Sequence, residues 1–183
     1  TDAGGCTDVD TVEVFDGGGV TSSISISNAT CNGDTDGSAT VTVMGGNMPY
    51  TYSWDDPANQ TNATANNLAP GTYSVTATDA LGCVTTSTVT ITDPAVLGLT
   101  TSETNASCGN SDGVASVSVT GGTSSYNYIW SDAFSQTNSS ATGLPAGSYD
   151  VTVTDANLCT STASVTIFNT GGPTVTATSS DVT

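Results

Sequence analysis

Apolar and polar residues alternate in short runs along most of the chain. Alternation with a period of two puts successive side chains on opposite faces of a strand, so the pattern predicts half-buried β-strands rather than helices. Clusters of Gly, Asn, Asp and Pro separate the runs roughly every ten residues, a spacing typical of a β-sandwich. In the first half of the chain the predicted strands are 20–27, 38–44, 50–54, 60–65, 72–78 and 83–91.

The strand pattern occurs twice. Cys31–Ile91 aligns with Cys108–Ile167 after one deletion in an acidic turn, which gives a period of 77 residues from Cys31 to Cys108. This length suits a small independent β domain better than a solenoid repeat. TDAGGC at the start of the chain matches TDALGC and TDANLC, the last hairpins of the two repeats. The pattern therefore predicts the last strand of a preceding repeat at 1–16, complete sandwiches at 17–93 and 94–169, and the first strand of a following repeat at 170–183.

Two aromatic features indicate immunoglobulin-like sandwiches of about six to seven short strands. Trp54 and Trp130 close the aromatic runs YTYSW and YNYIW, as a core Trp does in such domains. Tyr73 and Tyr149 end the segments LAPGTY and LPAGSY, which have the spacing of a tyrosine corner. We predict that these four residues are structural. The alternative is that the aromatic runs form a platform for carbohydrate.

The repeat unit resembles the SprB-type repeat. The resemblance is carried by CNGDTDGSATVTV, a GG pair, PYTYSW, LAPGTYSVTATDA and the final GC, and the second repeat departs from it at CGNSDG. The family occurs in very large surface adhesins and gliding-motility proteins of Bacteroidetes. The resemblance implies a structural segment of a secreted cell-surface adhesin or extracellular filament, with copies of itself or neighbouring repeats as partners. The alternative function is a carbohydrate- or surface-binding adhesive module.

Composition excludes several functions. The 183-residue chain has no Lys, Arg or His and a formal net charge of −17. Without cations it cannot neutralise phosphates, so we expect no nucleic-acid partner. No apolar run approaches the length of a membrane span, so we expect no membrane insertion. Without His or Lys there is no Ser–His or Cys–His pair and no Schiff-base lysine, and we predict that the protein is not an enzyme.

Five cysteines in an apparently exported chain indicate disulfides. One pairing lies within repeats, Cys31–Cys83 and Cys108–Cys159, and leaves Cys6 to an upstream cysteine outside the chain. The other lies between repeats, Cys6–Cys31 and Cys83–Cys108. We favour the first, because a sandwich of six strands is expected to bring the turn after the opening strand and the last hairpin to the same pole.

The acidic turns are candidate calcium-binding sites. Alternating carboxylates such as those of DTDG can converge on Ca²⁺, although the distal bidentate Glu of a calcium loop is missing. Solvated turns, in which Asp and Asn bond local amides, are the favoured interpretation, and we expect no other cofactor. By the family resemblance, Thr11 in DTV fits a short O-glycosylation signal. The candidate calcium ligands are Asp34, Asp36 and Asp79 in the first repeat and Asn110, Asp112 and Asp155 in the second.

Overall fold

The structure is a computed structural model that describes residues 19–172. These residues form two compact units. The first comprises the chain up to Ser27 together with Gly37–Ile91, and the second comprises Asn28–Asp36 together with the chain from Thr92 onward. Among the described residues, no helix has the length and apolar character needed to cross a membrane. The partial repeats predicted at 1–16 and over most of 170–183 lie outside the described residues.

The first unit contains two antiparallel sheets of three strands, with the orders β1-β2-β4 and β3-β5-β6. Residue pairs such as Tyr52–Ala77 and Trp54–Val75 fix the register of β3 on β5. The strands are β1 (Thr21–Ser27), β2 (Gly37–Met44), β3 (Thr51–Trp54), β4 (Thr64–Leu68), β5 (Gly71–Thr78) and β6 (Val84–Ile91).

The second unit repeats this arrangement, with sheets of the order β7-β9-β11 and β10-β12-β13, and adds a two-stranded sheet, β8-β14. The added pair is parallel, with Asn169 opposite Ala106. The strands are β7 (Gly98–Thr104), β8 (Ala106–Ser107), β9 (Gly113–Thr120), β10 (Asn127–Trp130), β11 (Ser140–Leu144), β12 (Gly147–Thr154), β13 (Thr160–Ile167) and β14 (Asn169–Thr170).

Each unit has its own apolar core between its two sheets. On β2, alternate residues from Gly37 to Val41 are buried while their neighbours are half-exposed, as the period of two requires. The core side chains are Ala39, Val41, Trp54, Ala65, Leu68, Val75 and Ile91 in the first unit and Ala106, Ala115, Val117, Trp130, Ala141, Leu144, Val151, Val153, Val165 and Ile167 in the second.

The predicted fold class is confirmed: the described residues are all-β and form immunoglobulin-like sandwiches. One predicted strand is misplaced, because residues 60–65 were expected to be extended and β4 instead begins at Thr64. A turn takes up the preceding residues. Its Asp56 accepts hydrogen bonds from the backbone N–H groups of Ala58 and Gln60 and from the Gln60 side chain. The Thr residues in this segment are typical of strands, and only the fold shows that the buried Asp56 carboxylate organises a turn there.

Candidate functional site: a disulfide and the hairpin tips

The disulfide joins Cys31 to Cys159, which are 128 residues apart, with their Cα atoms 5.7 Å from each other. Both cysteines belong to the second compact unit, because residues 28–36 of the first sequence repeat are part of it. The predicted pairs Cys31–Cys83 and Cys108–Cys159 are therefore wrong, and so are the alternatives Cys6–Cys31 and Cys83–Cys108. Cys83 and Cys108 are exposed free thiols. Cys6 lies outside the described residues.

The prediction failed because the opening and closing strands of a repeat run parallel. In the second unit the parallel β8-β14 pair brings the end of the opening strand beside the end of β13, and the Cys108 N–H donates to Thr170 O at 2.9 Å. Cys159 instead precedes the start of β13. These eight residues span about 26 Å, so Cys108 and Cys159 lie at opposite poles of one sandwich. The bond from the Ala29 N–H to Thr92 O repeats the arrangement beyond the end of β6, whereas Cys83 precedes β6.

Hydrogen bonds hold the Cys31 segment in the second unit. Asn157 Nδ2 donates to Thr30 O at 3.0 Å, beside the disulfide. On the other side of Cys31, Asn32 Nδ2 and the Gly33 N–H both donate to Asp93 Oδ2, at 2.9 and 2.8 Å. A cleft next to the disulfide is lined by residues that include Asp34, Val96, Leu97, Gly122, Asp155 and Leu158.

Buried aspartates organise both hairpin tips. Asp155 accepts backbone hydrogen bonds from Thr123 at 2.8 Å and from Asn157 and Cys159 at 2.9 Å each. These bonds, with that from Thr123 the largest cause, hold the pKa of Asp155 below its usual value although burial acts in the opposite direction. The carboxylate thus provides the hydrogen-bond acceptors that the backbone N–H groups of a tight turn cannot find among its own carbonyls.

The tip of the first repeat has the same arrangement. Asp79 accepts from the backbone N–H groups of Asn47, Leu81 and Cys83 at 2.9, 2.9 and 2.8 Å, and its pKa is also lowered, chiefly by the bond from Asn47. A glycine with positive φ packs against each carboxylate: a Cβ on Gly46 would lie 2.8 Å from Asp79 Oδ2. Any side chain there would displace the carboxylate, which explains the second glycine of the GG pair in both repeats.

The acidic turns are organised in the same way. The Thr30 N–H donates to Asp36 Oδ1 at 2.9 Å, and the Ser107 N–H donates to Asp112 Oδ1 at 2.7 Å. Hydrogen bonding from Thr30 and from Ser107 is the largest cause of the lowered pKa of Asp36 and Asp112 respectively.

The candidate calcium ligands are divided between the two compact units. Asp34 and Asp36 belong to the second unit, whereas Asp79 belongs to the first. Within residues 19–172 no three acidic, Cys or His side chains are grouped as metal ligands would be. Asn110 donates its backbone N–H to Ser107 O in the turn that holds Asp112. Calcium binding stays a prediction, and so does glycosylation of Thr11, which lies outside the described residues.

A second pair of buried aspartates was not singled out from the sequence. Asp132 accepts from the backbone of Phe134 and Gln136 and from the Gln136 side chain, as Asp56 does in the first repeat. Burial raises the pKa of Asp132, but the hydrogen bonds from Gln136 and Phe134 together outweigh it and leave the pKa lowered. The signal was present in both repeats as an Asp two residues after Trp and a Gln four residues after that Asp.

The aromatic residues serve the core and the turns. Trp54 and Trp130 are 2% and 1% exposed, and each indole N–H donates to a backbone carbonyl, of Asn62 and Asn138. The structural role predicted for them is confirmed. The hydroxyls of Tyr73 and Tyr149 donate to the backbone four residues upstream, to Ala69 O at 2.9 Å and Pro145 O at 2.8 Å, which is the tyrosine corner.

Two sandwiches of this topology, each with a buried Trp and a tyrosine corner, define a chain of tandem immunoglobulin-like domains. The SprB repeat family model matches residues 23–59 and 100–135, one match in each repeat, which supports the SprB-type repeat family. The two matches support a surface repeat module, and repeats of this family are typically structural domains without catalysis.

Solved structures with similar folds include the amphioxus IgVJ-C2 molecule, at 12% identity and a TM-score of 0.33, covering 83% of this chain and 97% of that one. Murine CEACAM1b matches at 14% identity and a TM-score of 0.30 over 72% and 92% of the two chains. The BSP domain of a biofilm-associated protein matches at 18% and 0.24 over 78% of this chain and 29% of that one. At these TM-scores the likenesses carry no argument. Among curated proteins, none matches significantly.

Proposed function

We propose that this chain is a structural segment of a long secreted cell-surface adhesin or extracellular filament, in which the sandwiches act as disulfide-stapled spacers without catalysis. The Cys31–Cys159 bond is the observation that carries the proposal, since an oxidising compartment is where such bonds persist. Antibodies against the chain are expected to label extended structures on the outside of intact cells.

The position of the bond suits a segment under tension. A force applied to the two ends of the chain reaches Cys31 and Cys159 before it reaches the residues between them. The disulfide then carries the force past those residues, including β2 to β12, so that most of both sandwiches is protected from mechanical unfolding. A spacer with this property keeps its length under load, which a ligand-binding module does not require.

Two further features support a spacer over the adhesive alternative. The buried tryptophans cannot stack on a sugar, and the hydroxyls of Tyr50 and Tyr126 are engaged with Gly45 O and Gly121 O in their own turns. The absence of Lys and Arg removes every cleavage site for trypsin-type proteases, which suits an exposed fibre.

Single-molecule stretching tests the mechanical role. The oxidised chain and the double variant Cys31→Ser/Cys159→Ser are each pulled from their two ends until fully extended. The bond closes a loop of 128 residues, which cannot extend in the oxidised chain. At about 3.3–3.6 Å per extended residue, this loop of 128 residues corresponds to about 420–460 Å of chain. The oxidised chain is therefore expected to be shorter than the variant by that length.

The matched control is the double variant Cys83→Ser/Cys108→Ser, which removes the two exposed thiols and keeps the disulfide. It is expected to extend as the oxidised parent does, and a reductant is expected to convert both to the longer form. Equal extension of the parent and the Cys31→Ser/Cys159→Ser variant under oxidising conditions would overturn the proposal.

A further inference from the structure

Each sequence repeat has one cysteine in the turn after its opening strand and one at its last hairpin. The observed bond joins the turn cysteine of the first repeat, Cys31, to the hairpin cysteine of the second, Cys159. Cys108 is the turn cysteine of the second repeat and Cys83 is the hairpin cysteine of the first, and both are exposed free thiols. We infer that Cys108 bonds to the hairpin cysteine of a following repeat of the same protein, and Cys83 to the turn cysteine of a preceding one. This inference rests on the proposed function, since it requires an array of more than two repeats.

The two bonding positions of a sandwich lie at opposite poles. In the second unit, Cys108 lies beside the β8-β14 pair, whereas Cys159 precedes β13 at the other pole. The pole of Cys159 holds residues 28–36 of the first repeat, and the thiol at the opposite pole is exposed. One sandwich can therefore be bonded to a preceding repeat at one pole and to a following repeat at the other, and neither bond obstructs the second.

The turn that carries Cys108 has the structure of its bonded equivalent. In the bonded turn, the Thr30 N–H just before the cysteine donates to Asp36 Oδ1 at 2.9 Å. In the second repeat, the Ser107 N–H in the same position donates to Asp112 Oδ1 at 2.7 Å. The thiol of Cys108 can therefore bond to a hairpin cysteine without a rearrangement of its own turn.

The tip that carries Cys83 also has the structure of its bonded equivalent. Asp79 accepts three backbone hydrogen bonds, and its N–H donates to Cys83 O at 3.0 Å. In the bonded tip, Asp155 accepts three such bonds and its N–H donates to Cys159 O at 2.9 Å. The Cys83 thiol is exposed on a tip that is already formed, so little ordering cost opposes a bond to it.

Exposed apolar side chains accompany Cys83 on this tip. Leu81 and Val84 are close to it in the hairpin and are 75% and 63% exposed. Met48, which is 78% exposed, belongs to the neighbouring turn of the same tip. An exposed apolar patch marks a surface of contact with protein. On the equivalent tip of the second unit, residues 28–36 make that contact, so the partner that fits the Cys83 tip is a cysteine turn of the same type.

The inferred bonds determine how an array of repeats responds to force. Successive loops overlap, because the loop closed by Cys31 and Cys159 contains Cys108. A force that reaches a turn cysteine passes through its bond to the hairpin of the next repeat, and then along the residues that lead to the following turn cysteine. That segment is 25 residues long between Cys83 and Cys108 and corresponds to about 83–90 Å of extended chain for every two repeats. The rest of both repeats lies outside this shortest covalent path and cannot be pulled taut.

Bond formation needs an oxidant, and a small-molecule disulfide such as oxidised glutathione is sufficient. The thiolate of one repeat attacks the glutathione disulfide and expels a glutathione thiolate, and the thiolate of the neighbouring repeat then displaces the other glutathione from the mixed disulfide. The two protein thiols lose two electrons and two protons in total, and one oxidised glutathione becomes two reduced ones.

The first test maps the disulfides of the protein as it is isolated from the cells that make it. Free thiols are alkylated before digestion with chymotrypsin, and linked peptides are identified by mass spectrometry. Cys108 is expected in a bond to a hairpin-type peptide, which has Asp four residues before its cysteine. Cys83 is expected in a bond to a turn-type peptide, which has Asp-Gly beginning four or five residues after its cysteine. Alkylation of either cysteine, a bond between two peptides of one type, or a bond between Cys83 and Cys108 themselves would overturn the inference.

The second test asks whether the bond forms within one chain. Residues 94–169 are inserted a second time after residue 169, which keeps the whole chain and adds a third repeat in register. Ser replaces Cys6 and Cys83 and, in the added repeat only, the turn cysteine. Thr166→Ser in the added repeat distinguishes its hairpin peptide by mass. The four remaining cysteines are Cys31, Cys108, Cys159 and the hairpin cysteine of the added repeat.

Four cysteines allow three pairings. In a glutathione redox buffer, Cys31–Cys159 together with a bond from Cys108 to the added hairpin cysteine is expected in about tenfold excess over either other pairing, in a product of monomeric mass. A statistical mixture of pairings or a disulfide-linked dimer would overturn the inference. Cys31–Cys159 without the second bond would overturn only the inference, whereas loss of Cys31–Cys159 would overturn the proposed function as well.

A matched pair of substitutions tests whether the tip of the added repeat recognises the turn of Cys108. In the observed contact Asn157 donates to Thr30 O, and Ser107 aligns with Thr30. Asn157→Ala in the added repeat is expected to lower the equilibrium constant of the second bond about two- to tenfold. The control Asn127→Ala in the same repeat alters an exposed residue of β10 and should leave the constant unchanged. Equal effects of the two substitutions would overturn the docking of the turn on the tip.

Discussion

The hairpin tips Thr78–Val84 and Thr154–Thr160 have the same hydrogen bonds around their aspartates, although only the second tip carries a disulfide. Cys159 is bonded to Cys31 and Cys83 is a free thiol, yet the cysteine N–H donates to the aspartate at 2.9 Å in one tip and 2.8 Å in the other. The remaining two bonds of each aspartate agree equally closely. The carboxylate, and not the disulfide, therefore sets the shape of the tip, and the disulfide joins two segments that are already formed.

The tips differ where they meet solvent. Leu81 is 75% exposed in the first, whereas its equivalent Asn157 is half-buried and bonded to Thr30 O in the second. The two repeats thus share the residues that fold a sandwich and differ in the residues that receive a neighbouring segment. Substitutions made in matched pairs can separate these two groups.

The largest effect is expected in the cores, where the two repeats should respond alike. Trp54→Ala and Trp130→Ala each remove a buried indole and are expected to lower the unfolding free energy of their own unit by about 3–5 kcal/mol. Each variant keeps one Trp, so its fluorescence during denaturation reports the unaltered unit while far-UV circular dichroism reports both. A destabilisation that differed strongly between the two variants would show that the cores are not equivalent.

Core and strand positions could be predicted from the sequence because they depend on local pattern. The period of two identified the strands, and the tyrosine corners followed from a spacing of a few residues. The burial of Trp54 and Trp130 follows from the same alternation, since each ends a short strand whose inward face is apolar. Such features need no knowledge of how distant strands are arranged.

The disulfide could not be predicted in this way. Its pairing depends on whether the first and last strands of a repeat run parallel, and periodicity contains no information about strand direction. The Asn169–Ala106 bridge settles that direction in the second unit. The role of the aspartates could not be predicted for a different reason. The carboxylate oxygens that can bind Ca²⁺ are the same atoms that can accept hydrogen bonds from backbone amides. Asp79 and Asp155 were therefore candidate ligands in the sequence and are anchors of the tips in the structure.

The next largest loss of stability is expected when the disulfide of the second unit is removed. Cys31→Ser is expected to lower the unfolding free energy of the second unit by about 2–4 kcal/mol. The chain-entropy relation gives about 5 kcal/mol for a loop of 128 residues. The effect should be smaller because the folded first unit already shortens most of that loop. Denaturant titration of a Trp54→Phe background, in which Trp130 reports the second unit, measures the change.

Cys108→Ser on the same background is the control, and removal of this exposed thiol is expected to change the unfolding free energy by no more than about 0.5 kcal/mol. A larger loss from Cys108→Ser than from Cys31→Ser would contradict the assignment of the bond.

The aspartate anchors are expected to act equally in both repeats. Asp79→Asn and Asp155→Asn each replace one acceptor oxygen with a donor that faces a backbone N–H. Each is expected to lower the melting temperature of its unit by about 5–10 °C at pH 7, measured by circular dichroism. The exposed Glu103→Gln is the control and should leave the melting temperature unchanged. If Asp155→Asn were harmless while Asp79→Asn were not, the disulfide rather than the carboxylate would be holding the second tip.

The same anchors predict a pH dependence. The folded protein lowers the pKa of Asp79 and Asp155 from 3.8, so the unfolded chain binds protons more readily. Their contribution to stability is complete above pH 3.8 and is lost as the pH falls through the lower folded pKa values. The melting temperature is expected to be level at neutral pH and to drop below about pH 4, and the Asn variants should show a shallower drop. A midpoint of acid unfolding near pH 6 would contradict this origin.

The smallest effect tests whether exposure to water makes one of the two tyrosine-corner hydrogen bonds contribute less to stability than the other. Tyr73→Phe and Tyr149→Phe each remove the hydroxyl of a tyrosine corner and leave the ring in the core, at an expected cost of about 0.5–1.5 kcal/mol in unfolding free energy. The Tyr73 bond is partly buried, whereas the Tyr149 bond is exposed to water that can replace the lost partner. Tyr73→Phe should therefore cost more. Tyr52→Phe, which alters a ring packed against the same core as Tyr73, is the control for loss of a hydroxyl outside the corner. Equal losses of unfolding free energy for Tyr73→Phe and Tyr149→Phe would show that access of water does not determine how much the corner hydrogen bond contributes to stability.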